Sequence, residues 1–158
     1  TVVLRFGNIF GVGLFTRWET VIPRFVKLAL EGKPLTIYGD GGSSRDFVHV
    51  WDIVEALRLC GEARAGKVGG EVFNVGGEAM TVKGIAEIVV KEVKDYVEKS
   101  IEVVHLPPRV GETRELRYSM EKIRVRLGFR PRWTVRRGVR QLIEYYLTQK
   151  RSLRPAGN

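Results

Sequence analysis

The sequence predicts an α/β protein, on three observations. Short apolar runs bounded by turn residues alternate with segments whose apolar positions recur at helical spacing. The chain has 158 residues, 44% of them hydrophobic, enough to bury a core, which excludes disorder as its main state. Its longest apolar runs, such as Ile88-Val89-Val90, are far shorter than the roughly 20 residues a membrane helix requires.

Taken in order, Val2 to Phe6 reads as a strand buried on both faces, with Arg5 within it. Thr1 stands where methionine is usual and the chain enters that strand at once, so part of a longer protein is expected. Beyond the loop Gly7 to Thr20, Ile22, Phe25, Val26, Ala29 and Leu30 mark a helix, stopped by Gly32 and Pro34. Leu35 to Tyr38 is a strand, Gly39 to Ser44 a hairpin turn, and Phe47 to Val50 the strand beyond it. Asp52 is the expected cap of a helix burying Ile53, Ala56, Leu57 and Cys60.

A glycine-rich break, Gly66 to Gly70, precedes the strand Val72 to Val75. Thr81 should cap a helix with Ile85, Ala86, Val89, Val93 and Tyr96 or Val97 inward. Ile101 to Leu106 is a further strand, stopped by Pro107 and Pro108, and the coil to Tyr118 has no periodic pattern. Ser119 should cap a short helix with Ile123 and Leu127 inward and Gly128 as its stop, and a last helix from Thr134 buries Val135, Val139, Leu142, Ile143 and Tyr146. One compact unit over 1–150 with a frayed tail at 151–158 is the expected organisation.

Charge and cysteine content narrow the function. The net charge is +9, but residues 1–108 sum to −1 and residues 109–158 to +10. A basic module for nucleic acid is therefore one reading of the carboxyl-terminal third, opposed by its scarcity of stacking aromatics, Trp133 and Phe129 alone lying among the arginines. The single cysteine, Cys60, can neither form an internal bridge nor supply a thiolate zinc site, and an intracellular, cytoplasmic protein is the expectation. His49 and His105 each lie in an apolar run, so both read as structural rings rather than metal ligands or catalytic bases. Gly39-Asp-Gly-Gly-Ser-Ser misses the dinucleotide fingerprint at its last position, and no phosphate loop is present.

A small polar set remains: Arg5 in the opening strand, Asn8 just past its end, Arg45 and Asp46 at the mouth of the hairpin, and Arg109 and Glu112 in the proline-flanked coil. Ligands of open α/β sheets sit at carboxyl ends of strands, which suits Asn8. Two arginines could converge on a diphosphate through their bidentate forks, although Arg45-Asp46 could equally be a local ion pair.

The segments LRFGNIFG (4–11), VIPRFVKLALEGKPLTIYGDGGSSRDFVHVWDIVEAL (21–57), FNVGG (73–77) and PPRVGETRELRYSMEKIRVRLGFRP (107–131) resemble, in order and spacing, the carboxyl-terminal half of the NAD-dependent nucleotide-sugar epimerase/dehydratase family. The resemblance implies the last strands of a Rossmann-type fold plus a small α/β substrate domain, with the cofactor half absent. It implies that Asn8, Arg45 and Arg109 contact a sugar-diphosphate, that backbone groups of Thr36 and Tyr38 bond a uracil or thymine, and that Glu112 accepts from the ribose. The implied ligand is a UDP- or dTDP-sugar and the implied activity NAD-dependent 4-epimerisation, with 4,6-dehydration or uronate epimerisation as alternatives.

The family's glycine fingerprint and catalytic Tyr-x-x-x-Lys have no counterpart in the matching segments. Hence no catalytic or cofactor residue is assigned, no NAD is expected on this chain alone, and a separate cofactor-half polypeptide is a conceivable partner. Tyr118 to Lys122 and Tyr146 to Lys150 spell Tyr-x-x-x-Lys, but they fall in segments that match other parts of the family.

Overall fold

The computed structural model describes residues 1–111 and 115–152. Eight strands and six helices follow one another: β1 (Val3–Phe6), β2 (Asn8–Phe10), α1 (Val21–Leu30), β3 (Leu35–Tyr38), β4 (Ser44–His49), α2 (Val50–Glu62), α3 (Ala65–Val68), β5 (Val72–Val75), β6 (Glu78–Thr81), α4 (Val82–Val93), β7 (Val103–Leu106), β8 (Glu115–Leu116), α5 (Glu121–Leu127) and α6 (Val135–Ser152). Strand β1 pairs with β5, and β3 with β7, both in parallel. The third sheet runs β2-β4-β6, with β2 and β8 parallel to β4 and β6 antiparallel to it.

Strand β4 divides the core, because successive side chains leave a strand on opposite faces. Phe47 packs into the cluster formed by α1, α4 and α6, with Ile22, Val26, Val89 and Leu142. Val48 packs into the second, with Phe73 and Val75 of β5, Ala56 of α2, and Ile123 and Phe129 around α5. The expected stripes of α1, α6 and, as far as Val93, α4 are buried, except that Leu30 and Tyr146 are only partly so. Thr81 caps α4 as expected, its hydroxyl accepting from the Gly84 N–H at 3.0 Å, and Gly128 ends α5 in the left-handed conformation at φ 68°.

Tertiary structure overrides several local expectations. The Gly39–Ser44 turn does not make a hairpin: β3 pairs with β7 and β4 with β2, so the two strands enter different sheets. The opening strand is not buried on both faces: Val3, at 45%, and Arg5 are exposed on one, while Leu4 and Phe6 are half-buried on the other. The cap of α2 is His49, whose ring accepts from the Trp51 N–H, and not Asp52. Asp52 lies in the first turn of α2, where its carboxylate accepts from the backbone N–H groups of Arg132 (2.8 Å) and Trp133 (3.1 Å), tying down the approach to α6. Ser119 likewise is not a cap; α5 starts after Met120 without a side-chain cap. Leu57 is half exposed instead of buried, α4 ends at Val93 with Tyr96 exposed and Val97 partly buried beyond it, and the short helix α3 occupies part of the glycine-rich break; β2 lies within the expected loop Gly7 to Thr20, and β6 and β8 also add to the predicted strands. Helix α6 continues through Ser152, and residues 153–158 of the expected tail lie outside the described residues.

No described helix is long and apolar enough to cross a membrane. Much of the carboxyl-terminal basic excess is paired at the surface: Arg124 with Glu121, Arg126 with Glu71, and Arg136 and Arg140 with Glu92. This is the pattern of a solvated face carrying exchangeable ion pairs.

Candidate functional site

The segment Leu4–Gly11 changes sheets in mid-course. At Gly7 it leaves β5, to which its N–H still bonds through the Val75 carbonyl at 3.0 Å, and joins β4 as β2. A Cβ at Gly7 would stand 2.8 Å from the Asp46 carbonyl oxygen, so only glycine permits this close passage. Asn8 therefore sits where the strands diverge, lining a cavity of about 560 Å³ with Phe10, Thr16, Arg17 and Phe47. Crevices of this kind hold ligands in α/β proteins.

A second cavity, of about 210 Å³, lies over β3 and is lined by Glu19, Arg24, Thr36, Tyr38, Ser43 and Arg109 among others; Val21 lines both. Pleating explains the selection: Leu35 and Ile37 point into the core, whereas Thr36 and Tyr38 point into the cavity. The backbone follows the same alternation. Leu35 N–H donates to Glu102 and Gly39 N–H to Leu106, on the β7 side, so the N–H and C=O groups of Thr36 and Tyr38 turn to the opposite edge of β3, which no described strand pairs. Arg109 lays its guanidinium over the Tyr38 ring, 3.9 Å from the centroid.

The structure thus brings Thr36, Tyr38 and Arg109 together and sets Asn8 in the adjoining cleft. Arg45 lines neither cavity, but Ser43, just before the strand, lines the smaller and Phe47 lines the larger, and alternation puts Arg45 and Phe47 on one face of β4. Its Nη1 donates to the Ser44 carbonyl at 2.9 Å. Asp46 points the other way, its two carboxylate oxygens accepting from backbone N–H groups of Gly77 and Tyr118. Glu112 lies outside the described residues.

Sequence reasoning missed Glu19 and Arg24. Both are charged residues beside or within an amphipathic helix, with no motif to distinguish them from solvated surface; only the fold of α1 over β3 places them at the cavity.

Beside the cleft, His49 is fully buried, stacked on Trp133 with ring centroids 3.8 Å apart and edge-on to Phe10. Its Nδ1 accepts from the Trp51 N–H, so Nε2 carries the proton that it donates to Gln141 Oε1 at 2.9 Å. Burial pushes its pKa below the ordinary 6.5, against the opposing pull of Gln141 and Asp52 and with Arg137 adding to the depression. The unfolded chain therefore takes up a proton near pH 6.5 that the folded chain refuses. The stability so contributed is complete above that pH and lost as pH falls below it. The melting temperature should fall between pH 7 and 5.5, and His49→Asn should flatten that part of the profile; an unchanged slope would exclude His49 as its source.

The two Tyr-x-x-x-Lys spellings lie elsewhere. Lys122 pairs with Glu71, at 2.6 Å. Tyr146 donates to Glu31 at 2.8 Å, and burial, together with that carboxylate, pushes its phenol up to about 12, the wrong direction for a base near neutral pH. Among the described residues no group of three or more His, Cys, Asp or Glu side chains could hold a metal ion.

Parallel strand pairs, covering helices and a crevice at diverging strands define the chain as an α/β protein of Rossmann type, and comparison with known proteins agrees. Residues 1–76 match the model of the NAD dependent epimerase/dehydratase family. Over 157 residues the chain is 32% identical to dTDP-glucose 4,6-dehydratase 1 of Escherichia coli, covering 94% of this chain and 41% of that enzyme. An epimerase structure from Methanothermobacter thermautotrophicus superposes with a TM-score of 0.83 at 31% identity, covering 98% of this chain and 45% of the other. A UDP-glucuronic acid 4-epimerase from Bacillus cereus, in complex with UDP-glucuronic acid and NAD, superposes at 0.81 with 28% identity, over 94% and 45%. The chain belongs to the NAD-dependent epimerase/dehydratase family, and it spans less than half the length of these relatives.

Proposed function

We propose that this chain binds a UDP- or dTDP-sugar as the substrate-holding part of an NAD-dependent sugar 4-epimerase. The observation that carries the reading is the open edge of β3: the Thr36 and Tyr38 backbone offers donors and acceptors to a planar base beside a 210 Å³ cavity. A uracil or thymine presents the matching N–H and carbonyl groups. Its diphosphate would pass between Arg109 and Arg45, whose forks suit phosphate oxygens, and the hexose would enter the larger cleft at Asn8. Glu112 is assigned to the ribose hydroxyls by the family resemblance alone.

The residues of this chain bind and orient; none is assigned to proton transfer. NAD supplies hydride chemistry to this family, but the sequence contains no glycine fingerprint, and neither Tyr-x-x-x-Lys spelling lines the cleft, so these residues do not fit it and no step is routed through it. Turnover is assigned to a cofactor-binding part that bears those motifs, on a longer form of this chain or on a separate polypeptide, and that meets the outer edge of β1, unpaired among the described residues. The likeness to the E. coli enzyme favours 4,6-dehydration as the second reading.

The test is thermal melting with UDP, UDP-glucose, dTDP-glucose and CDP. Uracil and thymine nucleotides should raise the melting temperature and CDP, whose amino group replaces the acceptor at that ring position, should do so less. No stabilisation by any of them at millimolar concentration sinks the reading. In the complete enzyme, interconversion of 4-epimers identifies the epimerase, whereas a 4-keto-6-deoxy product identifies the dehydratase.

A further inference from the structure

The segment carrying Arg109 bridges two sheets. Its near end follows β7, where Gly39 N–H bonds the Leu106 carbonyl and His105 Nδ1 meets the Gly39 carbonyl oxygen at 2.7 Å. Its far end returns as β8, in register with Ser44 and Arg45 of β4, and is held again at Tyr118, whose N–H donates to Asp46 Oδ2 at 3.3 Å. The other oxygen of Asp46 accepts from Gly77 N–H at 2.6 Å. Asp46 is 4% exposed, and the backbone crowds around it: a Cβ at Gly76 would stand 2.6 Å from Oδ2 and one at Gly7 2.8 Å from the Asp46 carbonyl oxygen. One buried carboxylate therefore joins the strand of Arg45, the turn after β5 and the far anchor of the Arg109 segment, beside the step into Asn8.

We infer that Asp46 is a positioning residue for nucleotide-sugar binding, holding the Arg109 segment against β4 so that Arg109 and Arg45 face one diphosphate. The inference rests on the binding function proposed above. It gives the acidic half of the Arg45-Asp46 pair a role other than neutralising its neighbour, since both of its oxygens accept from backbone N–H groups.

Asp46→Asn separates this role from general support of the fold. An amide offers one oxygen in place of two; the shorter bond keeps it on Gly77, and the amide N–H₂ is left facing the Tyr118 N–H, donor to donor. Amide exchange at Leu116–Tyr118 should accelerate in this variant while α4 and β5 keep their protection, and UDP should bind about tenfold more weakly at a temperature where both proteins are folded. A double-mutant cycle with Arg109→Ala supplies the decisive number: if Asp46 acts by placing Arg109, Asp46→Asn costs little once Arg109 is gone. Full additivity of the two losses, or unchanged UDP affinity in Asp46→Asn, overturns the inference while leaving the binding function standing. Unchanged exchange at Tyr118 overturns the tether whatever nucleotides do. A wild-type chain that binds no nucleotide overturns the binding function, and with it this role.

Discussion

Replacing both Arg45 and Arg109 by alanine should weaken UDP binding roughly 30- to 150-fold in titration calorimetry, or about 2 to 3 kcal/mol. A hydrogen bond to a charged group contributes about 1.5 to 3 kcal/mol when sheltered, and less where water screens it. Arg109 is exposed and Arg45 only partly buried, so each falls at or below the foot of that range, at about 1 to 1.5 kcal/mol. Single variants should each lose about tenfold. Arg→Lys at either position should fall between, since lysine keeps the charge but lacks the planar fork. Raising the salt concentration should weaken wild-type binding and leave the double variant nearly indifferent, because only the former relies on charge attraction. Losing Arg109 also removes its stacking on Tyr38, so melting curves must accompany the titrations. UDP affinity that survives the double replacement would remove both arginines from the diphosphate.

Gly77→Ala should be the most damaging small substitution, costing about 3 kcal/mol or more. A Cβ there would overlap the Phe47 carbonyl oxygen and stand 3.1 Å from Val48 Cα. The obstacle is backbone of the strand that divides the core, so no rotamer change relieves it. The melting temperature should drop by about 6 to 12 °C on the usual scale for a chain of this size. Gly61→Ala is the control. Gly61 lies in α2 with open space where a Cβ would stand, and alanine there should be neutral or stabilising by about 0.5 to 1 kcal/mol. Equal melting temperatures for the two variants would refute the close-approach account of Gly77.

Much of the fold was legible from local chemistry. Residues 35–38 form the predicted strand, α1 and α4 bury the faces their spacing indicates, and Thr81 and Gly128 end their helices as side-chain oxygen and left-handed glycine should. These features depend on contacts within a few residues, which is why a linear pattern discloses them. The failures have a common cause. Asp52 has the right residue type for a cap, but its carboxylate is committed to backbone 80 residues away, a partner invisible from local spacing, and α5 begins one residue later than Ser119 would require, after Met120. His49 took the cap position of α2 because its ring also stacks on Trp133 and bonds Gln141.

The site divides along the same line. Residue types singled out Asn8, Arg45 and Arg109 as candidates, and the family resemblance alone added Thr36 and Tyr38. Membership of the family was also legible, because long motifs in register are a property of the linear chain. Tertiary structure decided that β3 and β4 part company after an apparent hairpin, that the step at Gly7 opens a cleft at Asn8, and that Glu19 and Arg24 border the smaller cavity. It also decided which way Asp46 points. A sequence specifies which groups a chain carries and their local conformational preferences, but which backbone N–H meets a buried carboxylate depends on strand pairings between residues 31 and 72 positions apart.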